Sequence, residues 1–497
     1  MRQGTTRKNF FSWIFSCWVV LLSATCFAGG SKYKKPEVAT PTNWQSPVPW
    51  SSANPSDSLP KGTWWTLFGD PELNQYEDRA IANNQTVKAA IARLAEARAS
   101  ARITSSGLYP ELDLGPSAGR QLVSANRPTL GSSVPLVADT ENTFTIPFTL
   151  NYEIDLFGRI RRNVESANEQ AQASAADLEN VRLLITSDLA ADYFQLRELD
   201  AEIAVVLRAI DFQKKGLNLV NELHTGGTVS GLDVAQQQTV LDSSETQLYL
   251  LQQQRAQNEH AVAELQGLPA SNFKAPVRPL DVIAPAIPLA VPSELLQRRP
   301  DIAAAERRVA SANALVGAAR AAFYPSLPLQ GAAGLESRNI STLFNAPSAI
   351  WSIGLSALEP LIAGGRLHGQ LQYSRATYDE NIASYRESAL VAFQQVEDAL
   401  AGLDALLAAS QSQQRAVADA ERSLNLANTR YTGGLVTYLD VITAEETALT
   451  NERLATQLLG QRLVTSVYLV KALGGGWDAT SIAAVGVKPS LKQALQQ

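Results

Sequence analysis

The 497-residue sequence predicts a mixed α/β membrane protein, elongated rather than globular, in which an internal duplication sets amphipathic strands ahead of each of two very long helices. The first observation is an alternation. Phe144, Ile146, Phe148, Leu150 and Tyr152 alternate with Thr145, Pro147, Thr149, Asn151 and Glu153, the pattern of a strand with one apolar and one polar face. The second is length. From Gly158 to His224 no proline interrupts 67 residues dominated by Ala, Glu, Gln, Leu and Arg, which a helix would stretch over roughly 100 Å. Arg161, Arg162, Glu165, Glu169, Asp177, Glu179, Arg182 and Asp188 make its first turns too polar for lipid. The third is repetition at an offset of 207 residues: Gly158-Arg159 returns as Gly365-Arg366, Thr225-Gly226-Gly227 as Thr432-Gly433-Gly434, and Leu232-Asp233-Val234 as Leu439-Asp440-Val441.

Taken in order, residues 1–25 read as a secretory signal, with Arg2, Arg7 and Lys8 before an apolar run from Phe10 to Leu22. Cys26 follows small residues in a lipobox-like context, Leu22-Ser23-Ala24-Thr25-Cys26, and is expected to be acylated and to become the mature N-terminus. Thr25 departs from the usual Gly or Ala, and cleavage after Ala28 is the alternative. Residues 26–60 form an extended, Pro-, Ser- and Asn-rich tether.

The first repeat, 61–268, opens at Trp64-Trp65. Asp70 caps a helix with Pro71 at its first position, and that helix is expected to run to about Gly107 with Ile81, Ala92, Ala95 and Ala99 buried. Tyr109-Pro110 breaks it. A strand over Leu112–Gly119, a polar loop over Ser124–Asn142, the strand from Phe144 and the long helix follow. Residues 269–292, with Pro269, Pro276, Pro279, Pro285, Pro288 and Pro292, link the halves. The second repeat, 293–475, runs through a helix from Arg299-Pro300-Asp301, where Asp301 reads as the cap, then strands over Leu327–Leu335 and Ala349–Leu358 and a helix over Arg366–Thr432, also 67 residues; 476–497 form a tail. In that helix Leu367, Leu371, Ser374, Tyr378, Ile382, Tyr385, Ala389, Phe393, Val396, Leu400, Leu403 and Leu407 recur at about the spacing of a straight helix. Val417, Ala420, Leu424, Ala427 and Tyr431 recur at about 3.5, the value that winds a left-handed coil.

Composition excludes other classes. Net charge is −6, without a basic surface for nucleic acid. The two cysteines, Cys17 and Cys26, both precede the body, and Met1 is the single methionine, so neither a disulfide framework nor a soft-metal relay is expected. No phosphate loop, HExxH or GxSxG points to an enzyme, and no cofactor is expected.

Four amphipathic strands cannot close a barrel, for which about eight is the minimum, and their open edges cannot stay in lipid. A homotrimer supplies twelve strands and a lumen. Glu153–Arg159 (EIDLFGR), Leu295–Glu306 (LLQRRPDIAAAE) and Tyr431–Ile442 (YTGGLVTYLDVI), set in the duplicated helix-strand-strand-helix unit, resemble the TolC-like outer-membrane efflux channels. Cys26 followed by Tyr33-Lys34-Lys35-Pro36 is similar to their lipid-anchored OprM/NodT branch.

That resemblance implies a homotrimeric channel-tunnel: a twelve-stranded outer-membrane β-barrel above a periplasmic α-helical barrel. It also implies a periplasmic adaptor and an inner-membrane pump of RND type as partners. Asp440 would then lie near the threefold axis at the tip, where three carboxylates raise one another's pKa and attract cations. Its other reading is a helix N-cap, as for Asp233. Tyr431 and Arg430 would brace the closed tip, or simply end their helix. Gly226, Gly227, Gly433 and Gly434 would reverse the chain through positive φ and seat the adaptor. Two further readings stand beside efflux: a type I protein-secretion duct on the same fold, against which the lipobox argues, and a coiled-coil stalk without a pore, which has no use for the strands.

Overall fold

The computed structural model describes residues 33–41, 44, 62–125, 138–282, 284–285, 287, 295–296 and 298–476; Cys26 lies outside them. After a 3-10 turn at Trp64–Phe68 come α1 (Pro71–Asn83), α2 (Gln85–Ser106), β1 (Glu111–Leu114), β2 (Ser117–Val123), β3 (Asp139–Glu153), α3 (Arg159–Thr225) and α4 (Gly231–Leu265). The second half repeats the order with α5 (Pro300–Ala321), β4 (Pro328–Ser337), β5 (Ala349–Leu355), α6 (Arg366–Thr432) and α7 (Tyr438–Ala472). Matched helices are equal in length: 22 residues in α2 and α5, 67 in α3 and α6, 35 in α4 and α7.

Four local expectations are corrected. The first helix is two, because Asn84 leaves the helical conformation (ψ 130°) and its side chain caps α2 by accepting from the Thr86 and Val87 amides. That break changes the helical phase, so Val87, Ala90, Leu94 and Ala101 are buried while Ala92, Ala95 and Ala99 are exposed. Asp301 does not cap α5. It instead accepts from the buried Arg299, whose Nη1 also reaches Gln395 Oε1 (2.7 Å) and the Ala472 carbonyl (3.1 Å), tying α5, α6 and α7 together. The strand at Phe144 begins earlier, at Asp139, since polar Asp139–Thr143 still pair with β2. On α6, Tyr385, Ala389, Phe393, Val396, Leu400 and Leu403 are buried on the expected seam, whereas Leu407 is 40% exposed.

The strands form one antiparallel sheet in which β3 pairs with both β1 and β2 on one side and with β4 on the other, and β4 pairs with β5. β1 and β2 share one register against β3, interrupted only at Gly115-Pro116, because proline has no N–H to donate. Directly opposed residues share a face. Leu112, Leu150, Gly331 and Ile353 therefore line up across the sheet, as do Leu114, Phe148, Ala333 and Trp351. The other face carries Asp113, Thr149, Ala332 and Ser352. Leu112, Leu114 and Leu122 at one edge and Trp351, Ile353 and Leu355 at the other are exposed, Trp351 by 79%. Among the described residues no helix is long and apolar enough to cross a membrane.

The corner from sheet to helix is built from EIDLFGR. Gly158 (φ 83°) turns the chain, Asp155 accepts from the Ile160 and Arg161 amides that open α3, and Arg159 pairs with Glu153 at 2.6 Å. Gly365 (φ 82°) turns the chain in the same way before α6. Below the sheet α3 packs against α2 and α5, and farther along against α4 and α7; α6 packs against α5 and α7. Short helices meet end to end. The Asn84 amide donates to the Leu265 carbonyl at 2.9 Å, and Arg299 plays the matching part at Ala472. The main core, with Trp64, Trp65, Phe194, Tyr385, Leu400 and Leu463, fills this middle zone.

Candidate functional site

The ends of the two helix hairpins, where α3 turns into α4 and α6 into α7, hold every candidate residue except Cys26. Each long helix stops in a Schellman motif: Thr228 N–H donates to the Leu223 carbonyl and Gly227 N–H to His224, while Leu435 donates to Arg430 and Gly434 to Tyr431. Positive φ falls on the second glycine of each pair, Gly227 at 76° and Gly434 at 70°. Gly226 (φ −76°) and Gly433 (φ −82°) are right-handed, which corrects the expectation that all four need the left-handed region. The reason lies in the motif, which places only its C′ residue there.

A capping box follows each turn. Asp233 accepts from the Ser230 amide at 2.9 Å and Asp440 from the Thr437 amide at 2.9 Å and its hydroxyl at 2.7 Å. Asp440 is exposed, and the Thr437 hydrogen bonds, with a smaller contribution from the Arg430 charge, hold its carboxyl below the usual carboxylate range. Within one chain, then, Asp440 and Asp233 are the third-position partners of capping boxes whose N-caps are Thr437 and Ser230, which corrects the expectation of an aspartate N-cap, and Thr443 returns its hydroxyl to the Leu439 carbonyl at 2.9 Å. Arg430 is exposed.

Tyr431 lies against Tyr438, ring centroids 5.0 Å apart, at the border of a cluster of Val220, Val240, Tyr438, Val441 and Ile442 drawn from α3, α4 and α7. Its hydroxyl is buried and has no hydrogen-bond partner within the chain, so no bracing bond is made inside one subunit. Burial, and then the charge of Asp233, push its pKa up, so Asp233 in the first hairpin acts on Tyr431 in the second. His224 locks its own turn, Nδ1 lying 2.9 Å from the Val229 carbonyl.

Sequence reasoning missed the layer immediately behind this cluster. Glu445 of α7, Gln213 of α3 and Gln237 of α4 are buried together, at 3%, 0% and 0% exposure. In a chain rich in Glu and Gln these residues read as solvated. The available signal was helical spacing, since Tyr438, Val441, Ile442, Glu445 and Ala448 occupy one stripe of α7. Among the described residues no group of three or more His, Cys, Asp or Glu side chains could hold a metal.

Comparison with known proteins agrees with this architecture. The family model described as Outer membrane efflux protein matches residues 77–268 and 291–475. The chain is 34% identical over 443 residues to the pyoverdine export outer membrane protein OpmQ of Pseudomonas aeruginosa, covering 89% of this chain and 92% of that protein. It is 31% identical over 458 residues to the toluene efflux pump outer membrane protein TtgF of Pseudomonas putida, covering 90% and 94%. Among solved structures, the outer-membrane channel OprN superposes with a TM-score of 0.83 at 28% identity, covering 90% of this chain and 99% of that one. With the duplicated hairpins, the one-sided apolar sheet and these matches together, the chain belongs to the outer membrane efflux protein family.

Proposed function

We propose that three copies of this chain assemble into a passive duct through the outer membrane and periplasm. It carries small exported or toxic compounds delivered by a periplasmic adaptor and an inner-membrane pump of RND type. The observation that carries the trimer is the sheet: five strands that span as four, since β1 and β2 continue one line against β3, with one continuous apolar face and unpaired edges at β1/β2 and at β5 whose exposed Leu112, Leu114, Trp351 and Ile353 need both lipid and a neighbour. Pairing the β5 edge of one copy with the β1/β2 edge of the next closes twelve strands with no edge left.

The class of cargo follows the relatives, whose names concern pyoverdine and toluene. The two hairpin ends are the face offered to the adaptor, through the turns at Gly226, Gly227, Gly433 and Gly434. The Asp440 carboxylates of three copies would ring the entrance and set a cation preference, with exposed Arg430 able to reach the next subunit and Tyr431 able to brace the tip once its buried hydroxyl is uncovered.

The test is the mass of detergent-purified protein by native mass spectrometry. Three chains are expected; a monodisperse monomer that retains β-sheet circular dichroism would overturn the assembly.

A further inference from the structure

The body between the main core and the tip is two hairpins laid side by side, which share apolar clusters and also a polar seam. Inside the first, Leu199, Ile203, Val206 and Ile210 of α3 meet Leu241 and Leu251 of α4, and inside the second Leu400 and Leu403 of α6 share a core with Leu463 and Val467 of α7. Between the hairpins, where α3 meets α7, polar pairs lie along the seam between the apolar main core and the tip cluster. Arg453 reaches Glu202 at 2.6 Å, Arg208 reaches Glu452 at 3.0 Å, and farther toward the tip Gln213 faces Glu445.

The last pair is unlike the others. The Gln213 side chain faces the Glu445 carboxyl as its one hydrogen-bonding neighbour, too loosely set to make a well-formed bond, and the Gln237 carbonyl oxygen is unpartnered. Gln237 spends its amide on the Gln213 backbone carbonyl at 3.0 Å. The fit is close: a methyl group on Gly216 of α3 would sit 2.8 Å from the Tyr438 hydroxyl and 3.3 Å from Gln237. From α3 Glu445 meets an uncharged amide, from α4 another, and from its own helix Tyr438 and the like charge of Glu446. α6 contributes apolar Leu424 and Ala427 to the cluster beneath. A carboxylate left there without a counter-charge is penalised far more heavily than the neutral acid, whose O–H and C=O need only the neighbouring amide.

We propose that Glu445 is a proton-operated latch between the two hairpins: neutral while α7 is packed on α3, and driven into water, with loss of its proton, when the hairpins part and the tip widens. This rests on the duct reading. Burial, offset slightly by Gln213, raises the Glu445 carboxyl from 4.5 to about 7. The packed state therefore binds one more proton per chain than the parted state between about 4.5 and about 7. Packing is favoured below that window and weakens as pH rises through it, by up to about tenfold per pH unit per chain, with no further change above it. Glu198, higher on the same seam, is also raised to about 7, by burial and then by Glu202, but it lines a cavity of about 490 Å³ that is open to solvent. Water can reach it without the hairpins moving.

The trimer in planar bilayers tests this by its resting open probability from about pH 5 to about pH 8, with single-channel events at strong voltage as the check that a duct is present at all. Wild type is expected to open more often as pH rises and to level off above about pH 7. Glu445→Gln, which keeps the shape of the neutral acid, should stay low with a much shallower rise. Gly216→Ala, which crowds the seam, should open more at every pH. Asp440→Asn should keep the pH rise while losing cation selectivity. A rise of unchanged steepness in Glu445→Gln, or a flat wild type that still conducts under voltage, overturns the latch. No conducting events in any variant overturns the duct and the latch with it, and loss of cation selectivity without change in pH response concerns Asp440 alone.

Discussion

At the scale of single residues, the tip separates glycines that must be glycine from those that need not be. Gly227 and Gly434 sit at positive φ, where a Cβ meets the chain's own carbonyls, so alanine there should cost about 1–2 kcal/mol per turn. At Gly226 and Gly433 a methyl group would meet backbone oxygens no closer than 3.5 Å, an ordinary contact, and alanine should be neutral. Thermal unfolding of the four single variants checks the split; equal losses at Gly226 and Gly227 would show that the turn, rather than its handedness, sets the cost. The same reasoning explains Gly334, which sits in β4 opposite Pro147 and whose added methyl would collide with the Ile146 carbonyl. Glycine is there so that two strands can pair across a proline.

At the scale of elements, the structure spends its buried charge where the halves join. Asp200 on α3 is 2% exposed and accepts from Arg255 of α4 at 2.5 Å and from Arg197 at 2.9 Å. Those arginines hold the linker, Arg197 through the Pro276 carbonyl at 2.6 Å and Arg255 through the Ala275 carbonyl at 3.1 Å. Asp200→Asn leaves two guanidinium groups with less counter-charge in a dry site. It should lower stability by about 3–5 kcal/mol and expose residues 275–278 to limited proteolysis. Unchanged melting and cleavage would mean that packing alone seats the linker. The position 207 residues beyond Asp200 is Leu407, which cannot take the place of that carboxylate in the second half. The duplication is thus preserved in helix lengths and caps, not in every contact.

At the scale of the whole molecule, residues 33–41 and 44 of the N-terminal segment lie on the body. Lys35 pairs with Glu306 of α5 at 2.7 Å and stands 6.0 Å above the Tyr385 ring of α6, while Tyr33, Val38 and Trp44 pack against the main core. Cys26 precedes Tyr33, the first of these docked residues, by seven positions in the sequence. The mature protein should begin at Cys26 with a diacylglyceryl group and an acyl chain in its intact mass, and Cys26→Ala should lose the adduct; a chain beginning at Gly29 would overturn acylation. If the sheets of three copies anchor the assembly as proposed, the Cys26→Ala protein should remain in the outer membrane.

What the sequence alone determined was everything encoded by neighbours in the chain. Period two marked Phe144 to Tyr152, period near 3.6 marked α6, and the recurrence of Thr-Gly-Gly placed both turns within a residue, because strand, helix and Schellman turn are each set by a few consecutive side chains. The tertiary structure alone decided what depends on a distant partner. Asn84 breaks a helix in part because the Leu265 carbonyl waits for its amide, and Asp440 completes its capping box while Glu445, five residues on, is sealed in. An exposed glutamate and a buried one look alike along the chain, and only the packing of α3 and α4, more than two hundred residues away, buries Glu445 and raises its pKa, an effect the Gln213 side chain partly offsets. Burial is a property of the packed surfaces, and those are assembled from both halves of the duplication at once.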